Sequence, residues 1–217
     1  MSEGYIVHGA VGSGSVPVEA ALTLLGLPYR VEEAAPWVSA ELADQVARTN
    51  PMRQVPALIL PGGEMMTESA AILIWLADSH PEARLAPTMA AASRPAFLRW
   101  MSFVSAAIYA LCWIRDDPLR LTDDPAEGAR IKARAGARIT DCWRVMESQV
   151  DPARYLLGDD LGVLDLYVTV VSRWAERRRR FYEVAPRMSE VVRRVDAEPR
   201  LAALWAERFP FAEGWEG

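Results

Sequence analysis

The chain reads as an α/β unit followed by an all-helical one, and three observations predict this. Strand-like and helix-like segments alternate through the first part. Pro81, Pro87 and Pro95 then punctuate a stretch of small residues. Beyond it the apolar residues recur at helical spacing. The expected division is an α/β domain over 1–80, a linker over 81–94 and an all-helical domain over 95–217.

The first domain opens with Tyr5–His8, a short β-prone segment, and a glycine-serine loop, Gly9 to Ser15. Pro17 suits the first turn of a helix running to about Leu25. Gly26-Leu-Pro-Tyr29 stops that helix and starts a strand through Val31, and a second helix is expected over Ser39–Arg48. Pro56 heads an apolar β-branched run, where a missing N–H does least harm to a strand. Pro61-Gly62-Gly63-Glu64 then turns Ala57–Leu60 back onto Met65–Met66 as a hairpin. A helix over Glu68–Asp78 completes β-α-β-α-β-β-α, a thioredoxin-like order.

In the helical part, Phe97, Met101, Val104, Ile108 and Leu111 form one stripe. Trp100, Phe103 and Ala107 make the opposite side apolar too, so this helix is expected to be covered on more than one face. Asp124-Pro125 starts a second long helix, striped by Ile131, Ala135, Ile139, Cys142, Met146 and Val150. Asp165 sits among Leu164, Leu166, Tyr167 and Val168, so it is expected to be buried and to accept the backbone N–H of Gly162 at a helix start. Helices over Ala185–Ala197 and Pro199–Arg208 close the bundle.

Composition limits the function. A net charge of -5 opposes nucleic-acid binding, and the run Arg177–Arg180 is expected to be a solvated helix face. Cys112 and Cys142 lack metal or redox spacing, and His8 and His80 are isolated, so no metal is expected. The N-terminus has no secretory pattern, and the uncharged run Trp100–Ile114 is shorter than the ~20 residues of a spanning helix. These points predict a soluble, cytoplasmic protein that engages neither membrane nor nucleic acid.

The stretch Asn50–Leu60 with Thr67–Leu76 carries the functional signal. An extended edge beside a helix start rich in N–H groups suits a small peptide-like ligand with a carboxylate. This arrangement resembles the glutathione-binding half of the glutathione transferase family. The resemblance implies that Val55 and a cis Pro56, with Gln54 ahead of them, form a backbone clamp for the cysteine of glutathione. It implies that Glu68 and Ser69 hold the γ-glutamyl end. The Asp165 segment resembles the second landmark of that family, with Gly162 where Ser or Thr is usual. A homodimer is implied as well.

Such enzymes hold the glutathione sulfur as a thiolate. A free thiol of pKa ~8.5 is only a few per cent ionised at neutral pH, and lowering it by ~2 units needs about 2.7 kcal/mol. Alignment to the family puts Ser13 beside the serine-type hydroxyl and Gly14 where cysteine-type bacterial members carry a thiol. Ser13 is therefore the first candidate donor to sulfur and Ser15 the second, and no loop thiol is available for a mixed disulfide. Tyr5 lies too early for the tyrosine-type role. The hydrophobic electrophile is expected between the domains, against Tyr109 and Trp113. Two other readings stand beside conjugation. One is a glutathione-dependent disulfide reductase or peroxidase on the same fold, the other a non-catalytic binding or assembly module.

Overall fold

The computed structural model describes residues 4–174 and 178–211. They form two compact units: the residues up to Thr88 with those from Asp196 onward, and Met89–Val195. The first carries β1 (Tyr5–Gly9), α1 (Val16–Leu24), β2 (Tyr29–Glu33), α2 (Ala40–Ala47), β3 (Ala57–Ile59), β4 (Met65–Thr67) and α3 (Ser69–Ser79). Its sheet has the order β2-β1-β3-β4, with β1 parallel to β2 and antiparallel to β3, and β3 antiparallel to β4. This is the thioredoxin-like arrangement expected from the element order.

Local chemistry sets these elements. Pro17 occupies the first turn of α1, where no N–H is needed, and Gly26 takes the left-handed conformation (φ 65°) that ends the helix. The Ser39 Oγ accepts the Leu42 N–H (3.2 Å) as the N-cap of α2. Val16, Val18, Ala20, Ala21 and Leu22 are all fully buried, and α1 packs beside α3.

The first unit also includes a 3₁₀ turn at Pro199–Leu201 and the helix Ala202–Arg208. The sequence reading ran the helical domain to residue 217, but the described residues from Asp196 on pack with the α/β part. The cause is long-range pairing: Arg208 serves Glu19, Glu33 and Gly12, as described below.

The second unit is helical. Its helix α4 runs over Arg94–Asp116, 23 residues, with a π-helical stretch at Val104–Tyr109. Asp124 caps α5 (Pro125–Gln149), its Oδ1 accepting the Ala126 N–H at 2.8 Å. Then come α6 (Val163–Ser172), buried along its whole length, α7 (Arg179–Val184) and α8 (Pro186–Asp196), with Ala202–Arg208 of the first unit as α9. Glu147 of α5 reaches the start of α8 and accepts the N–H groups of Arg187 and Met188, both at 3.1 Å.

Two expectations change here. The uncharged run in α4 is short, but the helix itself has the length and apolarity to cross a membrane. Phe97, Trp100, Met101, Val104, Ile108 and Cys112 are buried on the face that packs against α5 and α6, whereas Phe103, Ala107 and Leu111 are only half-buried, so the expected cover on a second face is partial. The arginine run is not simply a solvated face either. Arg177 lies outside the described residues, while Arg178 is fully buried, donating to Ser172 Oγ (3.0 Å) and to the Thr169 carbonyl (2.6 Å). A buried guanidinium needs such acceptors, and the end of α6 supplies them.

Candidate active site

β1, β3 and β4 bring the candidate residues of the first unit into line. Their registers pair His8 with Ala57 and Ala57 with Thr67. One further step along each ladder sets Gly9, Pro56 and Glu68 in a row across the sheet. The glycine-serine loop, the Val55–Pro56 segment and the start of α3 therefore open at the same end of the strands.

The Val55–Pro56 peptide bond is cis, and both residues are buried. Among the described residues the N–H and C=O of Val55 have no protein partner. Buried main-chain groups of this kind are almost always paired, so these two are available to an extended ligand. Asn50, 5% exposed, builds the approach. Its Oδ1 accepts the Met52 N–H (3.1 Å) and its Nδ2 donates to the Gln54 carbonyl (2.9 Å). Gln54 is half-buried just ahead of the bond. The sequence reading gave Asn50 no role, although an Asn that bonds its own chain two and four residues on is a known turn signal.

Glu68 and Ser69 meet at the start of α3. Ser69 is its first residue and is buried, while Glu68 is exposed and holds φ 66°, ψ 102°. A non-glycine residue there carries roughly 1–3 kcal/mol of strain, and such strain gathers at binding sites. Glu68 is the N-cap of α3, so an exposed acid that could accept from a cation stands in sequence beside the first N–H groups of the helix, which can serve an anion.

The loop is wired differently. Neither Ser13 nor Ser15 caps α1 with its side chain. Ser13 Oγ accepts the N–H groups of Ala10 and Ser15, both at 3.2 Å, and lies 3.0 Å from Ser15 Oγ. Ser15 is fully buried, and its hydroxyl donates to Glu19 Oε1 at 2.7 Å. Gly9 makes this possible, because a Cβ there would overlap the Ser15 side chain. Each hydroxyl has one proton. Ser15 commits its own to a carboxylate, so only Ser13 retains a proton that a ligand can take. Glu19, also fully buried, accepts Arg208 Nε at 2.6 Å, and Arg208 also donates to Glu33. Burial works against the Arg208 charge, but Glu19 and Glu33 outweigh it and hold its pKa above the usual arginine value.

Tyr109 and Trp113 belong to the second unit, one turn apart on α4. Tyr109 ends the π-helical stretch, half-buried against Trp174 (ring centroids 4.6 Å) and Tyr167 (6.3 Å). Trp113 is 40% exposed, with the Arg120 guanidinium 4.5 Å from its ring centroid. The thiols are unreactive by position: both are buried, and burial pushes Cys112 up to about 11. Among the described residues no cluster of His, Cys, Asp and Glu could hold a metal ion.

Residues 14–79 match the family described as glutathione S-transferase, N-terminal domain. The chain is 29% identical over 196 residues to the uncharacterized GST-like protein YncG of Escherichia coli (strain K12), spanning 90% of this chain and 94% of that one. It is 28% identical over 135 residues to the glutathione S-transferase GstA of Escherichia coli O157:H7, 62% of this chain and 64% of that one. A crystal structure of a glutathione transferase homolog from Sulfitobacter with bound glutathione superposes with a TM-score of 0.82 at 23% identity, covering 94% and 97% of the two chains. Fold, edge geometry and relatives define a protein of the thioredoxin-like plus helical type. Residues 14–79 match the N-terminal domain of the glutathione transferases, and the chain shares their fold.

Proposed function

We propose that the protein binds glutathione along the Val55 edge and transfers its sulfur, as a thiolate, to a hydrophobic electrophile. The observation that carries this reading is the row Gly9–Pro56–Glu68, which aligns an unpaired backbone edge with a carboxylate-and-helix-start pair on one side and a hydroxyl loop on the other. The N–H and C=O of Val55 would pair with the cysteinyl residue. Glu68 would take the glutamyl ammonium, and Ser69 with the first N–H groups of α3 its carboxylate. Gln54 would lie alongside the peptide. Ser13 would donate to the sulfur, since a thiolate is a stronger acceptor than the neutral Ser15 hydroxyl it now faces. Ser15, with its proton on Glu19, would act on the loop rather than on the ligand. Tyr109 and Trp113 supply aromatic surface of the kind that takes an apolar second substrate. A cytoplasmic homodimer is the setting that fits this activity in the family.

Calorimetric titration with glutathione tests the binding half. Glu68→Gln and Ser69→Ala should each weaken affinity about tenfold, the effect of one charge-assisted hydrogen bond. Ser13→Ala should leave affinity nearly intact and lower the rate with an aryl halide by roughly one to two orders of magnitude. Unaltered affinity in both clamp variants would remove Glu68 and Ser69 from the site. Turnover with disulfides or hydroperoxides but not with aryl halides would assign the reductase or peroxidase reading instead.

A further inference from the structure

We infer that Glu19 and Arg208, a buried ion pair joining the first helix to the last, are positioning residues for the hydroxyl loop. The inference deepens the glutathione reading above and rests on it. The ion pair is enclosed, with Glu19 fully buried and Arg208 6% exposed. Its geometry is directional. Arg208 Nε donates to Glu19 Oε2 at 2.6 Å and its Nη2 reaches Oε1 at 3.4 Å, which holds the carboxylate so that Oε1 also accepts the Ser15 hydroxyl at 2.7 Å. Ser15 Oγ is thereby left as the acceptor of the Ser13 hydroxyl at 3.0 Å, and the Ser13 proton is the one that a stronger acceptor can draw away.

Arg208 acts on the loop a second time through its main chain. Its carbonyl accepts the Gly12 N–H at 2.8 Å, one residue before Ser13. The side chain thus fixes the helix end of the loop through Glu19 and Ser15, and the carbonyl fixes its middle. A cation held beside a sulfur-binding loop also favours the ionised thiol. None of these groups needs to touch the ligand, which is why they position rather than react. Their partnership spans 189 positions of sequence.

The test compares Arg208→Met and Arg208→Lys with the unaltered full chain, following glutathione thiolate by ultraviolet absorbance and kcat/KM with an aryl halide across pH. Arg208→Met should shift the thiol titration about one pH unit alkaline and lower the neutral-pH rate about tenfold, with rate recovered at high pH. Glutathione affinity should stay within about threefold, because the clamp is separate. Arg208→Lys should fall between the two. Should Arg208→Met fail to fold, the double variant Glu19→Leu with Arg208→Leu, which leaves no lone buried charge, should show the same alkaline shift. A uniform loss of rate with an unmoved titration midpoint would overturn the inference. If the unaltered protein takes up no glutathione, the parent reading falls, and amide exchange at Gly12 and Ser13 decides the positioning role alone. Exchange about tenfold faster in Arg208→Met supports it, and unchanged exchange overturns it.

Discussion

Glu19 in the first unit and Asp165 in the second are both carboxylates removed from water, yet their surroundings handle the charge in opposite ways. Glu19 faces a cation, Arg208, and a serine hydroxyl. Asp165 faces only backbone: Oδ1 accepts the Leu156 N–H and Oδ2 the Gly162 N–H, both at 2.8 Å. Burial pushes the Asp165 pKa up to about 7, and the backbone N–H groups of Leu156, Gly162 and Asp165 itself pull it down without cancelling that push. Glu19 lies next to a hydroxyl loop that opens at the end of a central strand, whereas Asp165 ties the turn at Leu156 to the first turn of α6. Burial of an acid therefore does not by itself mark a working residue. What distinguishes the two is whether the atoms they hold lead to an open end of the sheet or stay inside the core.

Breaking each network should separate them by kind of damage. Asp165→Ala strands the buried Leu156 N–H and the half-buried Gly162 N–H and should lower the unfolding free energy by about 3 kcal/mol, measured by urea titration. Surviving protein should keep its glutathione affinity. A loss below about 1 kcal/mol would mean that water or a neighbour satisfies the two donors, and the cap would not organise α6. On the other side, Gly9→Ala should cost about 2 kcal/mol, because the new Cβ meets Ser15 at the rigid start of α1 rather than at a flexible tip. Here the expected signature is joint: stability and thiolate formation fall together. A fully active Gly9→Ala protein would show that the close approach of Ser15 is not needed by the loop.

The same contrast explains what could be read beforehand. The partner of Asp165 lies three residues away, and that spacing is a recognisable helix-start signal, so the Gly162 contact was legible. So were the hairpin around Gly63, the strand that Pro56 heads and the Glu68–Ser69 helix start, each of which is local chemistry. The second contact of Asp165, to Leu156, comes from a folded-back loop and was not. Nothing in the spacing of Glu19 and Arg208 announces that they meet, and without that meeting only alignment, not chemistry, ranks Ser13 ahead of Ser15. Arg178 misled for a related reason. Four successive arginines suggest a solvated face, but one of them can be drawn inward wherever a helix end offers carbonyl and hydroxyl acceptors.

The smallest and most particular test uses pH. The folded-state pKa of Asp165, about 7, lies above the ordinary carboxylate value, so the native state binds this proton more tightly than the unfolded chain does. Its contribution to stability is thus complete below about pH 4 and is lost as pH rises through about 7. Over that window the unfolding free energy should fall with a slope of up to about 1.4 kcal/mol per pH unit from this group. Asp165→Asn should remove that slope while lowering stability overall, since the amide nitrogen cannot accept the second N–H. Arg208 offers no such signature, because its guanidinium stays charged throughout the range. Urea midpoints taken at pH 4, 5.5 and 7 on the unaltered protein and Asp165→Asn would read the difference directly. Identical slopes in the two proteins would mean that the paired N–H groups overcome burial and keep Asp165 ionised, leaving what each carboxylate holds as the whole of the contrast.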